Sequence, residues 1–402
     1  MTKIEISTIQ QKIDLIAELI FKNTQKQQTE NWHGIYTGEF GWLLFMFYYA
    51  KYSKNNKYTS LAEDYAEMLL QQTANLFKLH TFSSGLSGIL YLFEFLRENH
   101  FIDMDVSDGQ PALDNYIVAR MRYDIQQKEY DFMHGALGVG LYFLKKGDSN
   151  EYIQELIDFL YDTADTDNDR QIFKWESFLK INKNIAVYNI ALCHGVSSII
   201  IFLSRVLKSN IVDKRVLEMM TGAINYILSQ EIDFSQFGYS FPGYIQKYTP
   251  NPLSSSKMRL AWCYGDLGIG LALWQAGKVV QKTEWKEKGL HILLQSTQRR
   301  DLAENFVVDA ELCHGSAGIC MIFRRMFLET NRSEFAEAAA YWLNQTLKFS
   351  TFEDGLAGYK TFVVNEWKCN DSLLMGISGI GLMLLSYLHE DEQKWDEMLL
   401  LS

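Results

Sequence analysis

The sequence predicts an all-α fold in which seven helix pairs close on themselves as an α/α toroid. Three observations lead to this fold class. One glycine motif returns seven times along the 402 residues. Every copy opens an apolar segment, and more polar segments with helical spacing lie between them. The chain has only four prolines, so long tracts are free to be helical.

The glycine motif has the form Gly-x-x-Gly and marks the start of each predicted repeat. Its first glycines lie 47, 50, 60, 70, 50 and 61 residues apart, which is long enough for two helices and their connections. In the fourth copy Ser198 replaces the second glycine. The seven copies cover residues 38–41, 85–88, 135–138, 195–198, 265–268, 315–318 and 376–379.

The predicted helices are of two alternating kinds. The segments led by glycine are apolar on all sides, as in IGLMLLSYL (Ile380 to Leu388), whereas SEFAEAAAYWLNQTLKF (Ser333 to Phe349) has a polar face. Because helices of the first kind are buried and those of the second lie outside, we expect an inner and an outer ring. An open array would expose apolar helices at one end, so closure is favoured, with residues 1–402 as a single domain.

Composition excludes several classes of function. The net charge of −11 with no long basic run argues against nucleic acid as a partner. The N-terminal segment has the spacing of an amphipathic helix and not of a secretory signal. Five cysteines in a long chain favour a reduced, cytoplasmic setting over a disulfide framework. The uncharged run from Ser372 to Leu388 is interpreted as a buried core helix, so no transmembrane segment is expected.

The residues just before each first glycine carry the candidate chemistry. Equivalent positions in a closed ring lie at one end of it, so Cys263, Cys313, His314 and His194 are expected to face one mouth. Two thiolates and an imidazole are ligands that zinc prefers, and three protein ligands leave the fourth tetrahedral position open for catalysis. A lone buried Cys-His pair would more simply be core packing.

At these motifs the sequence resembles the lanthionine synthetase C family, the cyclases of lanthipeptide biosynthesis. The similarity extends over all seven repeats, and the family fold is a seven-fold α/α toroid. The stretches that carry it are RLAWCYGDLGIG (Arg259 to Gly270), LCHGSAGI (Leu312 to Ile319), YDFMHGALGVG (Tyr130 to Gly140) and LCHGVSS (Leu192 to Ser198). One departure is Cys193, which gives the fourth repeat a CHG like that of the sixth.

The resemblance implies a set of site residues and a reaction. It implies one Zn²⁺ per chain on Cys263, Cys313 and His314. It implies an acid/base role for His194, with supporting roles that fall on Asp131, Arg259 and Tyr264. The family reaction adds cysteine thiols of a peptide to dehydroalanine or dehydrobutyrine and closes (methyl)lanthionine thioether rings.

These residue types suit that chemistry. A free thiol is mostly protonated at neutral pH, and a zinc ion with an open position promotes its deprotonation. Attack on the alkene builds an enolate, for which Arg259 is a candidate partner, and His194 suits delivery of a proton near neutral pH. Expected partners are a dehydrated precursor peptide, a lanthipeptide dehydratase and an exporter, which would bring the protein to the membrane periphery.

Other interpretations stay open at this point. His194 and Tyr264 are equally compatible with core packing, Arg259 with a surface position and Asp131 with a helix N-cap. We expect a structural role for His134, and we expect Cys320 and Cys369 to be inert. The alternative functions are another zinc thiol-alkylating enzyme, either a glutathione-using relative or a prenyltransferase-like one, and a non-catalytic peptide-binding scaffold.

The longest gap between glycines precedes the fifth repeat. Residues 231–257 are rich in aromatic residues, glycine, proline and serine, and they run directly into the WCYG motif. We therefore expect them to form a loop or flap near the mouth that helps to hold an extended peptide. A long exposed connection is the alternative.

Overall fold

The computed structural model describes residues 3–24, 34–76, 79–103, 110–178, 185–248, 258–389 and 394–402. Within them the chain is mostly helical, with fourteen helices of at least eleven residues. In chain order the helices are α1 (Lys3–Asn23), α2 (Glu39–Ser53), α3 (Asn56–Leu76), α4 (Leu86–Glu98), α5 (Gln110–Gln126), α6 (Ala136–Lys146), α7 (Asn150–Thr163), α8 (Val196–Lys208), α9 (Lys214–Leu228), the short α10 (Phe234–Phe237), α11 (Asp266–Val279), α12 (Thr283–Ser296), α13 (Ser316–Thr330), α14 (Ser333–Lys348) and α15 (Ile377–Leu388).

Short strands form three small antiparallel sheets in the described part of the chain. They pair as β1–β2, as β3–β4–β5 and as β6–β7. The strands are β1 (Asp165–Asp167), β2 (Ile172–Lys174), β3 (Ser177–Phe178), β4 (Ala186–Asn189), β5 (Tyr244–Gln246), β6 (Thr361–Val363) and β7 (Glu366–Lys368).

The two kinds of helix predicted from the sequence are both present. All twelve residues from Glu39 to Ala50 in α2 are buried, whereas α14 buries residues at a spacing of three and four, beginning with Phe335, Ala338 and Ala339. Each predicted first glycine is the N-cap of a helix. We call α2, α4, α6, α8, α11, α13 and α15 the glycine-led helices.

In the sixth repeat the second glycine of the motif is required by a close approach of the chain to itself. A Cβ atom added to Gly318 would lie 1.8 Å from the carbonyl oxygen of Leu312, a distance at which the backbone would have to move. The first glycine of the fifth repeat, Gly265, has a φ of +94°, a conformation that side chains disfavour. The motif therefore shapes the turn that presents the preceding residues.

The chain divides into two compact units. The first comprises Met1–Asp114 and Val307–Leu399. In it α2 packs against α4 and α15, and α15 packs against α13. The first and last repeats are therefore neighbours, whereas an open array of helix pairs would separate them. The amphipathic helices α3 and α14 pack against α2 and α13, and α1 packs against α15 and α2.

The second unit comprises Asn115–Phe306 and Leu400–Ser402. Its glycine-led helix α8 contacts both α6 and α11. The amphipathic helices α7, α9 and α12 pack against α6, α8 and α11 in turn. The strands β1 to β5 belong to this unit, and β4 runs into the loop that precedes α8.

Several pairs of neighbouring repeats are joined by a main-chain hydrogen bond at the residue two before the first glycine. We call this position −2 and the residue next to the glycine position −1. In the first unit the peptide N–H of Leu374 donates to the carbonyl oxygen of Tyr36, and the N–H of Tyr36 donates to the carbonyl oxygen of Ser83, each over 3.0 Å. In the second unit the peptide N–H of Cys193 donates to the carbonyl oxygen of Cys263 over 3.3 Å. In every case the donor belongs to one repeat and the acceptor to the next.

The apolar run that raised the question of a membrane span belongs to the core. Its last part forms α15, which has twelve residues, of which the ten from Ile377 to Ser386 are buried. No helix in the described ranges has both the length and the apolar character needed to cross a membrane. The interpretation as a core helix is confirmed.

Candidate active site and metal ligands

The second unit brings together the two residues predicted as an acid/base pair. Nδ1 of His194 lies 2.6 Å from Oδ2 of Asp131, whose side chain is buried. The other carboxylate oxygen, Oδ1, accepts the peptide N–H groups of Met133 (2.8 Å) and His134 (3.0 Å). Asp131 is therefore not the N-cap of α6, which is Gly135. The carboxylate fixes Nδ1 of His194, so Nε2 is the ring atom that can exchange a proton with a substrate.

Tyr264 lies beside this pair. Its ring centroid is 6.2 Å from that of His194, at an angle of 53°. Nδ2 of Asn189, at the end of β4, donates to the Tyr264 hydroxyl over 3.3 Å, and Oδ1 of Asn189 accepts from the N–H of Ala191. Burial raises the pKa of Tyr264 well above its usual range. The hydroxyl therefore keeps its proton at neutral pH.

Cys193 and Cys263 are neighbours at position −2 of the fourth and fifth repeats. Both are free thiols with at most 6% of their surface exposed. Burial, and after it the hydrogen bond with the Cys263 thiol, raises the pKa of Cys193 well above its ordinary value. The thiol of Cys193, in the CHG motif of the fourth repeat, therefore lies next to Cys263 within the second unit.

The loop that carries Cys263 and Tyr264 is held by a buried ion pair. Asp266, at the start of α11, accepts a hydrogen bond from Nη1 of Arg299 over 3.3 Å. Both residues are at most 8% exposed. Burial raises the pKa of Asp266, and the guanidinium of Arg299 opposes that shift. Arg299 also donates to the carbonyl oxygen of Met258. One guanidinium therefore ties the beginning of the loop to its end.

Arg259, the predicted cation, is half-buried in the same loop. No hydrogen bond or ion pair joins its guanidinium to another residue in the described part of the chain. The cation that holds the loop in place is instead Arg299, which pairs with Asp266. The sequence analysis did not single out Arg299, because it lies 36 residues after Cys263 and outside every repeat motif.

In the first unit Cys313 and His314 are held by Glu311. Oε1 of this buried carboxylate lies 2.6 Å from Nδ1 of His314 and also accepts the His314 peptide N–H over 2.6 Å. Oε2 accepts the N–H of Cys313 over 3.3 Å. Because Nδ1 is engaged, Nε2 is the nitrogen that His314 offers to a metal. Cys313 and His314 are both half-buried, so their ligand atoms are not sealed in the core.

One group with metal-binding chemistry lies within the first unit. Ligand atoms of Asp309, Glu311 and His314 lie within 4.8 Å of one another. The Asp309 oxygens already accept the N–H groups of Phe362 (2.9 Å) and Glu311 (3.4 Å). The two carboxylates therefore orient the loop and the imidazole, as the partners behind a metal-binding histidine do.

Comparisons with known proteins identify the family of this chain. The profile of the family described as "Lanthionine synthetase C-like protein" matches residues 29–400. The chain belongs to the lanthionine synthetase C-like family. No curated protein sequence matches it.

Solved structures show which fold this lanthionine synthetase C-like protein has. A structure titled "Nisin cyclase" superposes with a TM-score of 0.77, at 19% identity, covering 98% of this chain and 97% of that one. A cellobiose 2-epimerase from Bacillus thermoamylovorans B4167 gives a TM-score of only 0.46 at 8% identity, over 96% of this chain and 99% of that one. The predicted fold class, an all-α seven-fold α/α toroid, is confirmed.

The sequence analysis of this lanthionine synthetase C-like protein missed Glu311 and Asn189. A signal for Glu311 was present, because it occupies the same place before its glycine as Asp131 does before Gly135, four residues upstream. In both repeats that side chain accepts the N–H of the residue at position −1. Thr81 and Ser372 occupy the equivalent place in the second and seventh repeats and make the same type of bond, each over 3.4 Å.

The remaining sequence predictions concern residues outside the repeat motif. Cys320 is fully buried in α13, and burial raises its pKa to about 12. Cys369 is exposed, and its thiol donates to a backbone carbonyl. In the predicted flap, a Cβ atom on Gly243 would touch the Tyr264 ring at 3.0 Å, so this part lies beside the tyrosine. Residues 249–257 lie outside the described residues, and the flap role stays a prediction.

Proposed function

We propose that this protein is a zinc-dependent lanthipeptide cyclase. It adds cysteine thiols of a dehydrated peptide to dehydroalanine or dehydrobutyrine and thereby closes (methyl)lanthionine rings. The observation that carries the proposal is the 2.6 Å contact between Asp131 and His194, which leaves one ring nitrogen of a fixed histidine for proton transfer. Membership of the lanthionine synthetase C-like family supports it.

Three residues of this chain would hold the metal. We assign one Zn²⁺ per chain to Cys263, Cys313 and His314, since two thiolates and an imidazole match the preference of zinc. The residues fit the ion, because Glu311 already engages Nδ1 of His314 and so presents Nε2. When bound, zinc would supply the deprotonation of the substrate thiol.

His194 would supply the proton that completes the addition. The thiolate sulfur bonds to the β-carbon of the alkene, and the π electron pair moves toward the neighbouring carbonyl as an enolate. The α-carbon then takes a proton from Nε2 of His194, and the thiol proton released earlier balances the reaction. Asp131 holds Nδ1–H throughout and so keeps the ring in the tautomer that can carry a proton on Nε2.

Two further residues would stabilise the enolate. The Tyr264 hydroxyl accepts from Asn189 and keeps its own proton, which makes it a neutral donor beside His194. Arg259 contributes a guanidinium that no described residue neutralises. Donors that are already in place where charge develops lower the barrier without reorganisation, so both residues are assigned to this step.

The expected substrate and setting follow from this function. The substrate is a dehydrated precursor peptide, and a dehydratase must act before the cyclase because it generates the alkenes. We propose a cytoplasmic location, with an exporter as a further member of a complex at the membrane periphery. The reduced state of the thiols fits such a location.

The proposal is tested with the purified protein and a dehydrated Cys-containing peptide. We expect one zinc per chain by metal analysis and a time-dependent loss of free peptide thiols, measured by mass spectrometry after alkylation. A protein that holds no zinc and closes no ring would be a peptide-binding scaffold. A protein that joins glutathione to the peptide alkenes but closes no ring would be the glutathione-using alternative.

A further inference from the structure

We propose that His134 is a positioning residue for His194. The sequence analysis assigned His134 a structural role, because it lies in the third repeat. In the structure its imidazole stacks on that of His194, with ring centroids 5.7 Å apart and planes at 18°. The two histidines occupy position −1 of consecutive repeats in the second unit. The proposal rests on the acid/base role given to His194 in the proposed function.

One carboxylate contacts the backbone of one histidine and the ring of the other. Asp131 accepts the peptide N–H of His134 at Oδ1 over 3.0 Å and contacts the His194 ring at Oδ2 over 2.6 Å. The same buried side chain therefore holds the His134 backbone close to the His194 ring, within reach of a ring-to-ring contact.

The hydrogen bond to Asp131 alone does not fix the plane of the His194 ring. The bond restrains one ring atom, and small combined changes in χ1 and χ2 can still tilt the ring and displace Nε2 from its target. A second flat ring lying nearly parallel to it restricts this tilt. Since a displacement of about 1 Å can cost about 100-fold in rate, restricting Nε2 is a sizeable contribution to catalysis.

A purely structural role explains His134 less well. Its side chain is exposed, and exposed side chains contribute little to folding, usually within about 0.5 kcal/mol. The buried rings of this region are others, such as Phe132 and Trp262, which meet edge to face at 6.3 Å. Its stack on His194 places the His134 ring beside the proposed proton donor.

The test compares His134→Ala with His134→Phe, which keeps a flat ring but has no ring nitrogen. The matched control is His291→Ala, an exposed histidine on α12. We expect the alanine variant to keep one zinc per chain and an unchanged KM, with kcat lowered about ten-fold. The phenylalanine variant should recover to within about two-fold of the original protein, and the control should be unchanged.

A second measurement does not depend on turnover. In proton NMR spectra, we expect the Nδ1–H signal of His194 to be visible in the original protein and in His134→Phe, and to be broadened by exchange in His134→Ala. An unchanged kcat with an unchanged signal in the alanine variant would overturn the proposal. Equal loss of kcat in both variants would also overturn it, since the imidazole nitrogens and not the stack would then be needed. If no ring closes even in the original protein, the proposed function fails, whereas the NMR comparison still decides on the stack.

Discussion

The peptide N–H of Cys193 donates a hydrogen bond to the carbonyl oxygen of Cys263 over 3.3 Å, so the two cysteines are joined by main chain as well as by their adjacent thiols. Cys263 is a proposed zinc ligand, and Cys193 is the residue that makes the fourth repeat resemble the sixth. The contact raises the question of whether Cys193 is a fourth ligand. A fourth protein ligand would close the tetrahedron and exclude the substrate thiol.

The first prediction separates these cysteines by metal content. We expect Cys263→Ala and Cys313→Ala to lose zinc, and Cys193→Ala to keep one zinc per chain and most of its activity. The backbone bond from Cys193 does not depend on its side chain, so the alanine variant should keep the loop in place. Metal analysis of the three purified variants decides the matter. Loss of zinc from Cys193→Ala would show that the site is closed by four protein ligands.

The second prediction concerns His194. We expect His194→Asn to keep its zinc but to slow ring closure by at least about 100-fold, because asparagine cannot deliver a proton to the enolate. Mass spectrometry of alkylated peptide measures the ring closure, and metal analysis measures the zinc. Zinc loss in this variant would mean that the roles of the two CHG motifs are exchanged.

The third prediction concerns the carboxylate behind His314. Glu311→Gln replaces the carboxyl partner of the Nδ1–H group with a weaker amide acceptor, so we expect zinc affinity to fall about 10- to 100-fold. Competition with a chromophoric chelator measures this affinity. Glu353→Gln, at an exposed position of the same unit, is the control and should bind zinc normally. An unchanged affinity in Glu311→Gln would contradict the role given to this residue.

The fourth prediction concerns stability against pH. Glu39 is buried at the start of α2, its Oε2 accepts the hydroxyl of Tyr65 over 3.2 Å, and its Oε1 has no hydrogen-bond partner in the described residues. Burial raises its pKa to about 6. Because the folded pKa exceeds the unfolded one, this group's contribution to stability is present below about pH 4.3 and is lost as the pH rises through about 6.

Glu39→Gln should therefore be more stable than the original protein at pH 8, by about 2 kcal/mol, and about equal to it at pH 4. Urea unfolding at the two pH values measures the difference. Glu63→Gln, an exposed position on α3, should show neither change. Equal stability of Glu39→Gln and the original protein at both pH values would mean that the carboxylate is solvated or paired in solution.

The repeat architecture could be predicted from the sequence because its cause is local. The turn before each glycine-led helix needs glycine where the chain approaches itself closely, as at Gly318, so the pair occurs in six of the seven repeats and its first glycine in all seven. The roles proposed for Asp131 and His194 were expected only through the resemblance of the motifs around them to those of the family. The contact between them was not implied by spacing, because it joins residues 63 apart.

Apart from Glu311, the parts of the site that escaped prediction depend on contacts between residues far apart in the sequence. Asn189 reaches Tyr264 across 75 residues, and Arg299, just beyond the C-terminal end of α12, reaches Asp266. His134 was expected to be structural because of its repeat, but it stacks on the histidine of the next repeat. Side-chain partners of this type require the packing of distant segments of the chain, which no single motif specifies.

The main-chain bonds at position −2 have a consequence for how such a protein acquires chemistry. Because the peptide groups form these bonds whatever the side chain, residues as different as Tyr36, Ser83 and Leu374 occupy the same position as Cys263. A side chain at this position can be exchanged without breaking the joint between two repeats. The side chain at this position can therefore change its chemistry without changing the fold. A new functional group can arise in one repeat while the neighbouring repeats keep their residues.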